Sequence, residues 1–176
     1  MRKSPDPIQA LGEAYELLLE KTLDELHIKD ARQQNILKKD IQDTINKAAQ
    51  NTPQLQSLDD TLLKQIQEAV HRDLHSAGQY FSETTQEVKD WLGFELQLVE
   101  GSLLNLLPKI ADQTTVGLLE WKQDQAKRSL HTGEIAGPGI LVCDSCGEQL
   151  QFHRAGHIPP CAHCSNTVFH RLSNLG

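Results

Sequence analysis

The stretch CDSC (residues 143–146), followed after 14 residues by CAHC (residues 161–164), contains all four cysteines of this 176-residue chain. Two residues between the cysteines of each pair let the backbone curl around an ion, so each pair can offer two thiolate ligands. Zn²⁺ prefers tetrahedral sulfur coordination, and structural zinc sites take all four ligands from the protein. We therefore predict that Cys143, Cys146, Cys161 and Cys164 bind one structural Zn²⁺ ion, or iron in its place.

Disulfides and free core thiols are the alternatives to a metal site. The N-terminus, from Met1 to Pro7, leads into an amphipathic helical pattern and not into an uninterrupted apolar run, which argues against a secretory signal. Disulfides are rare in the cytosol. We therefore expect thiolates that bind metal and a cytoplasmic location.

Short strand-like runs surround both cysteine pairs, at residues 140–142, 150–152 and 167–169. Their β-branched and aromatic residues predict a small antiparallel sheet. Gly147 follows the first pair, where a metal-binding turn commonly needs a positive φ. Ser165-Asn166 follows the second pair, and asparagine tolerates the left-handed region. A core this small does not fold alone, so we expect bound metal to stabilise it by roughly 10–16 kcal/mol.

Composition and charge limit the classes of partner. The chain is 38% hydrophobic and 23% charged, as in folded soluble proteins, and no apolar run reaches the length of a membrane span. The net charge is −7, and residues 131–176 contain two arginines and no lysine. Nucleic-acid binding normally requires a basic surface. We therefore expect neither nucleic acid nor a membrane as the partner.

The first 130 residues have helical periodicity. Apolar residues recur at three- and four-residue steps in residues 8–26, 37–48 and 63–81, and a joint is expected at 27–30. Asn51-Thr52-Pro53 is expected to stop the second helix, and Ser57 to cap the third. The third helix has the cleanest apolar stripe, which consists of Leu63, Ile66, Val70, Leu74, Ala77 and Phe81.

A broader apolar face follows in residues 88–106 and includes Trp91, Leu98 and Leu106. Residues 84–87 fit the capping box of a fourth helix, although the third and fourth helices could also run on without a break. A final helical piece is expected from Asp112 to Arg128. From His131, glycine and proline replace the helical pattern, so we divide the chain into a helical region, 1–130, and a zinc ribbon, 131–176.

The order of several short motifs resembles that of a known family. Arg72-Asp73-Leu74, Glu120-Trp121, Gly133-Glu134 and the run from Gly139 to Cys143 are similar to the YbeL-like family, bacterial zinc-ribbon-containing proteins of no established function. The resemblance covers roughly residues 60–172 and is strongest from Trp121 onward. It implies a helical N-terminal region joined to a C-terminal ribbon, and it supplies no substrate or catalytic residue. Ser165 departs from the glycine expected there.

Several other residues could have chemical roles, but their structural interpretations are preferred. Five histidines, at 131, 153, 157, 163 and 170, could replace a cysteine ligand; we expect polar loop positions and hydrogen bonding around the site instead. Asp59 and Asp60 could form an acidic tip that enters a partner's channel, but they also fit a helix start. Glu95 and Glu100 are expected to face solvent, and Trp91 and Trp121 to be packing anchors.

The predicted fold is mainly α, with a helical bundle or a long antiparallel helical hairpin followed by a small C-terminal β zinc ribbon. We predict a non-enzymatic, zinc-stabilised interaction or adaptor protein that binds a protein partner, or itself, through helical faces. The alternative is a transcription- or RNA-associated regulator that uses the ribbon or the helical tip, and an enzyme is the least favoured class. Because the helices have their own apolar stripes, we expect Cys161→Ser to unfold the ribbon and leave most of the helical structure.

Overall fold

A computed structural model describes residues 7–31, 38–83 and 129–172. In these segments the helices precede the strands, as the sequence predicts. The helices are α1 (Pro7–Ala31), α2 (Lys38–Asn51), α3 (Pro53–Gln56) and α4 (Asp60–Glu83). The strands are β1 (Leu130–His131), β2 (Ile135–Ala136), β3 (Gly139–Cys143), β4 (Gln149–Phe152), β5 (Gly156–His157) and β6 (Val168–Arg171). The predicted apolar face at 88–106, the helical piece at 112–128, and Trp91, Glu95, Glu100 and Trp121 lie outside the described residues.

The helices form a bundle around one apolar core. Each of α1, α2 and α4 packs against the other two, so the described helices are not a two-helix hairpin. From the predicted stripe of the third helix, Ile66, Val70, Leu74 and Ala77 are buried, with at most 3% of their surface exposed. This part of the stripe is therefore covered within a single chain, as expected for an amphipathic helix that packs on its own bundle.

Two helix boundaries differ from the prediction. The joint expected at residues 27–30 is absent, since α1 continues to Ala31; no glycine or proline interrupts these residues. Asp59, and not Ser57, caps α4, because its Oδ1 accepts the N–H of Thr61 at 2.9 Å and that of Leu62 at 3.3 Å. The Ser57 hydroxyl instead donates to the carbonyl of Gln54 at 2.7 Å, at the end of the one-turn helix α3.

The ribbon contains two antiparallel sheets. The larger has the strand order β1-β6-β3-β4, and the smaller pairs β2 with β5. The three predicted runs correspond to β3, β4 and β6. In the register of the larger sheet, Leu141 lies opposite Leu150 and Arg171, and Val142 lies opposite Gln149 and His170. Because side chains alternate along a strand, Leu141 and Val142 point to opposite faces of the sheet.

The inner face of the larger sheet covers a second, smaller core. It includes the buried residues Leu130, Ala136, Leu141, Cys143, Ile158, Cys161 and Phe169. Two of these are predicted metal ligands, so the metal site is part of the ribbon core and not an addition to its surface.

The helical region and the ribbon share a packed boundary. The ribbon begins at Leu130, and two of its buried residues, Ile135 and Ala155, belong to the core of the helical bundle. The helices have their own buried stripes, as predicted, but the ribbon completes their core, which the expectation of helices that persist without the ribbon did not take into account. None of the described helices is both long enough and apolar enough to cross a membrane.

Candidate metal centre

The four cysteines that the sequence singles out meet at one end of the ribbon. Their Sγ atoms all lie within 4.8 Å of one another. Cys143 Sγ is 3.6 Å from Cys164 Sγ, and Cys146 Sγ is 3.6 Å from Cys161 Sγ. A disulfide would require about 2.05 Å, whereas a tetrahedral ion with Zn–S bonds of about 2.3 Å separates its sulfurs by about 3.8 Å. The thiols therefore have the spacing of a zinc site.

The two cysteine pairs contribute in the same way. The first ligand of each pair, Cys143 or Cys161, is buried in the ribbon core, whereas the second, Cys146 or Cys164, is exposed. Each pair therefore has one thiol in the ribbon core and one at its surface. Among the residues that the structure describes, this cluster is the one group of cysteine, histidine and carboxylate side chains close enough to hold a metal ion.

The residue that follows each cysteine pair has a left-handed backbone conformation. Gly147 has a φ of 74°, and its N–H donates to the carbonyl of Cys143 at 2.9 Å. At the second turn, Ser165 has a φ of 59°, and its N–H donates to the carbonyl of Cys161 at 2.8 Å. Asn166 was expected to tolerate this conformation, but Ser165 adopts it. Backbone strain is therefore expected at the second turn, since only glycine enters this region without a Cβ clash.

Asn166 has a different role, which the sequence analysis missed. Its Nδ2 donates to Cys143 Sγ at 3.5 Å and to the carbonyl of Val168 at 2.8 Å, so it links the first ligand to the start of β6. Such hydrogen bonds orient ligands and stabilise negative charge on sulfur. The only sequence signal was the position of Asn166 two residues after a ligand, which does not reveal a contact with the other pair.

Hydrogen bonds also affect the acidity of the thiols. Burial raises the pKa of Cys143, but the N–H groups of Cys146 and Ser145 and the amide of Asn166 outweigh it and lower the pKa to about 6. For Cys146, the N–H of Glu148 lowers the pKa, whereas partial desolvation and above all the three neighbouring sulfurs raise it by more, to about 12. One thiolate therefore forms readily, while the crowding of sulfurs opposes a second in the absence of a cation. A divalent cation removes that repulsion.

Three of the five ribbon histidines singled out by the sequence make polar contacts outside the group of four thiols. His170 Nδ1 contacts Asp144 Oδ1, His157 Nδ1 lies 2.9 Å from the carbonyl of Gly133, and His131 Nδ1 lies 3.6 Å from Glu134 Oε1. These are the polar and hydrogen-bonding positions that the sequence analysis preferred. The acidic tip has its structural explanation as well, because Asp59 caps α4.

Comparison with known proteins agrees with this geometry. The family described as "Zinc-ribbon containing domain" matches residues 28–173, which is most of the chain. The chain belongs to this zinc-ribbon family. It is 28% identical over 137 residues to "Uncharacterized protein YbeL" of Escherichia coli strain K12, an alignment that covers 76% of this chain and 82% of that protein. The protein of the same description from E. coli O157:H7 matches to the same extent. No solved structure matches.

The resemblance to YbeL-like proteins is thus confirmed, and zinc is the metal that the family and the four thiols indicate. Two of the segments that suggested it meet in this zinc-ribbon protein: Arg72 of α4 contacts Glu134 of the ribbon, with 3.3 Å between Nη1 and Oε2. Arg72 also donates to the carbonyl of Ile135 through Nη2. The shared sequence pattern therefore includes residues at the boundary between helices and zinc ribbon, in addition to the ligands.

A buried carboxylate next to Arg72 connects the zinc ribbon to two helices. Asp73 on α4 is 4% exposed, and its Oδ2 accepts hydrogen bonds from the Tyr15 hydroxyl of α1 at 2.9 Å and from the N–H of Gly137 at 2.8 Å. Its Oδ1 forms an ion pair with Arg171 of β6, at 2.9 Å. We call Tyr15, Asp73, Gly137 and Arg171 the junction.

Opposing effects set the acidity of the junction groups. Burial raises the pKa of Asp73, but the guanidinium groups of Arg171 and Arg72 together with the Gly137 N–H lower it by more, so that this pKa lies below its usual value. Burial, followed by the negative charge of Asp73, raises the pKa of Tyr15 well above its usual value. At neutral pH the junction therefore contains an ionised carboxylate and a neutral phenol that donates to it.

Proposed function

We propose that this zinc-ribbon protein is a non-enzymatic interaction protein of the bacterial cytoplasm, and that the outer face of its larger sheet binds a protein partner. A structural zinc ion would hold that face rigid. The four thiolates support a non-catalytic role for the metal, because they complete its tetrahedral shell and leave no position for water or substrate. In the proposal, one ion is bound per chain.

The outer face of the larger sheet is the observation that supports this proposal. Its centre consists of four half-buried apolar residues, and its edge includes exposed polar side chains with no fixed charge. The apolar residues are Ile140, Val142, Val168 and Leu172, and the polar residues at the β4 edge are Gln149 and Gln151. The exposed His170 lies on the interior strand β6, opposite Val142. An apolar centre with a polar rim is typical of protein–protein interfaces.

The ribbon face replaces the helical stripe as the proposed contact. The partner was expected at helical faces, but the buried part of the α4 stripe, from Ile66 to Ala77, packs inside the bundle. The other predicted stripe, at 88–106, lies outside the described residues. A large uncovered apolar surface is the usual mark of an interaction site, and in the described part of the chain the outer sheet face fits that description better than α4.

Both arginines of the ribbon already contact carboxylates, which disfavours the nucleic-acid alternative. Arg171 is 8% exposed in its side chain and forms an ion pair with Asp73, while Arg154 lies 3.4 Å from Glu16 Oε1. Phosphate binding requires cationic side chains that face solvent. These contacts, together with the net charge of −7, support a protein partner over DNA or RNA.

Affinity capture with matched variants tests the proposed face. The full-length protein, Val142→Lys and Gln54→Lys would each be immobilised and exposed to lysate with and without nuclease treatment. Gln54 is exposed on α3, away from the sheet, so its variant introduces the same charge elsewhere. We expect a protein retained by the wild type and by Gln54→Lys, and recovered at least about tenfold less by Val142→Lys, since a lysine at an interface centre is strongly unfavourable.

Zinc content and helical circular dichroism would be measured on all three proteins, so that loss of fold is not mistaken for loss of binding. Retention of the same proteins by Val142→Lys would contradict the assignment of this face. Partners that disappear on nuclease treatment would favour the transcription- or RNA-associated regulator instead.

A further inference from the structure

The junction joins the ribbon to the helices through charge. Two of the groups that contact the Asp73 carboxylate, the Gly137 N–H and the Arg171 guanidinium, come from the ribbon. Arg171 is itself held by the carbonyl oxygens of Pro138 at 2.8 Å and Gly137 at 3.2 Å. The side chains of Asp73 and Arg171 are 5% and 8% exposed. A buried charge whose partner is removed is strongly destabilising, so the helices depend on the ribbon at this point.

The position of Arg171 depends on the metal site through one pair of strands. Arg171 lies on β6, which pairs with β3, and Cys143 of β3 lies opposite Phe169, two positions before Arg171. Cys143 and Cys161 make up part of the small ribbon core. Ribbons of this size need bound metal to fold. Without metal, the pairing of β3 with β6 loses its support, and Arg171 is no longer held at Asp73.

Apolar packing across the same boundary also makes the helices depend on the folded ribbon. Ile135 and Ala155 of the ribbon complete the core of the bundle. The backbone of α1 approaches so closely that a Cβ added at Gly12 would lie 3.3 Å from the carbonyl oxygen of Ala155. Loss of the folded ribbon would therefore uncover apolar surface on α1 and α4 as well as the junction carboxylate.

We propose that metal binding at the four cysteines controls how tightly the helical bundle packs. The Arg171–Asp73 ion pair and the packing of Ile135 and Ala155 couple the ribbon to the helices. The metal-loaded protein has a closed bundle, and the metal-free protein has a loosened bundle that exposes the faces of α1 and α4 on which the ribbon packs. Because coupling between two equilibria is reciprocal, closing the bundle also strengthens metal binding.

Hydrogen exchange on the full-length protein tests the coupling directly. The zinc-loaded protein would be compared with protein stripped by a chelator under reducing conditions, and with stripped protein to which Zn²⁺ is returned. In the stripped protein, we expect amides of α4 at residues 66–77 to exchange at least about tenfold faster, within the usual range of allosteric coupling. Returning Zn²⁺ should restore protection. Exchange in α4 that differs by less than about twofold would overturn the proposal.

A pair of arginine variants separates the junction from general effects of ribbon loss. Arg171→Met keeps all four cysteines but removes the ion pair, so the zinc-loaded variant should exchange in α4 nearly as fast as the stripped wild type. Arg154→Met is the matched control, because Arg154 also links the ribbon to α1, through an exposed contact with Glu16. It should respond to zinc as the wild type does. Equal behaviour of the two variants would contradict a specific role for Arg171.

Reciprocity provides a second test, which remains valid if Arg171→Met fails to fold. Asp73 is not a metal ligand, yet Asp73→Asn should weaken zinc affinity by at least about tenfold, measured by competition with a chromophoric chelator. The control is Glu68→Gln, on the exposed face of the same helix, where the side chain is 68% exposed. The zinc affinity of Glu68→Gln should equal that of the wild type. An unchanged affinity in Asp73→Asn would show that the metal site and the bundle are independent.

Discussion

The backbone N–H of Gly137 donates a 2.8 Å hydrogen bond to the carboxylate of Asp73, 64 residues earlier in the chain. This contact allows the ribbon backbone to reach between α1 and α4, where Tyr15 donates to the same carboxylate oxygen. Such an approach requires a residue without a side chain. The junction therefore requires particular residues, such as a glycine at 137, at positions outside both the metal site and the helical stripes.

Gly137→Ala should destabilise the protein by about 2–4 kcal/mol, through overpacking and a weakened hydrogen bond to a charged group. A Cβ at this position would lie 2.1 Å from the Tyr15 hydroxyl oxygen and 2.7 Å from Asp73 Oδ2. Urea unfolding of the zinc-loaded protein measures the loss. Gly156→Ala is the control, since its Cβ would meet nothing closer than Phe152 at 3.9 Å. Equal stabilities for the two variants would contradict the close approach at Gly137.

Tyr15→Phe should reduce stability by about 1.5–3 kcal/mol at pH 8, because the hydroxyl donates to a charged acceptor. The raised pKa of Tyr15 means that its contribution is fully present below the unfolded pKa, about 10, and is lost as pH rises. From pH 10 to 11, the stability of the wild type should fall by up to about 1 kcal/mol relative to Tyr15→Phe. Urea unfolding at pH 8, 10 and 11 checks this. A difference in stability between wild type and Tyr15→Phe that stays the same at all three pH values would show that Tyr15 does not titrate with a raised pKa in the folded protein.

Ser165→Gly should stabilise the zinc-loaded protein by about 0.5–1 kcal/mol, because glycine relieves the left-handed strain, while part of the gain is lost to the greater freedom of the unfolded chain. Ser165 has a φ of 59° and is the one non-glycine residue with positive φ in the described segments. Ser145→Gly, in the first turn, is the matched control and should be destabilising. Thermal unfolding of both variants tests the contrast, and a loss of stability at both positions would argue against strain at Ser165.

The purified protein should contain about one Zn²⁺ ion per chain, since four thiolates complete one tetrahedral shell. Cys161→Ser should lose most of this zinc, because a serine hydroxyl remains protonated and does not replace a buried thiolate. His163→Ala, in the same turn, should retain it, as His163 is exposed and outside the thiol cluster. Elemental analysis gives the stoichiometry. Zinc lost from His163→Ala, or a folded ribbon without metal in the wild type, would contradict this assignment.

Local patterns were sufficient for much of the fold. Two Cys-x2-Cys pairs predicted which four thiols meet, because each pair brings its own ligands together by local turn geometry. The step of three or four residues from Ile66 to Ala77 predicted the buried face of α4. Asn51-Thr52-Pro53 predicted the end of α2. In each case the controlling interactions lie within a few residues of one another.

Other features depended on partners that are distant in sequence. Strands β1, β2 and β5 have two residues each, too few to show periodicity, and they form because strands elsewhere in the ribbon pair with them. Asp73 follows Arg72 on α4, and two adjacent charged residues on a helix are expected from sequence to face solvent. It is buried because Tyr15, Gly137 and Arg171 surround it.

The sequence by itself therefore determined a helical region, a cluster of four cysteines with the spacing of a zinc site and the strands next to it, because turn geometry and hydrophobic periodicity are local properties. Tertiary structure alone decided that the two parts share a core and a buried ion pair. The physical reason is that burial of a charge such as Asp73 is tolerable only where compensating groups from three segments converge, and nothing within any one of those segments specifies that convergence.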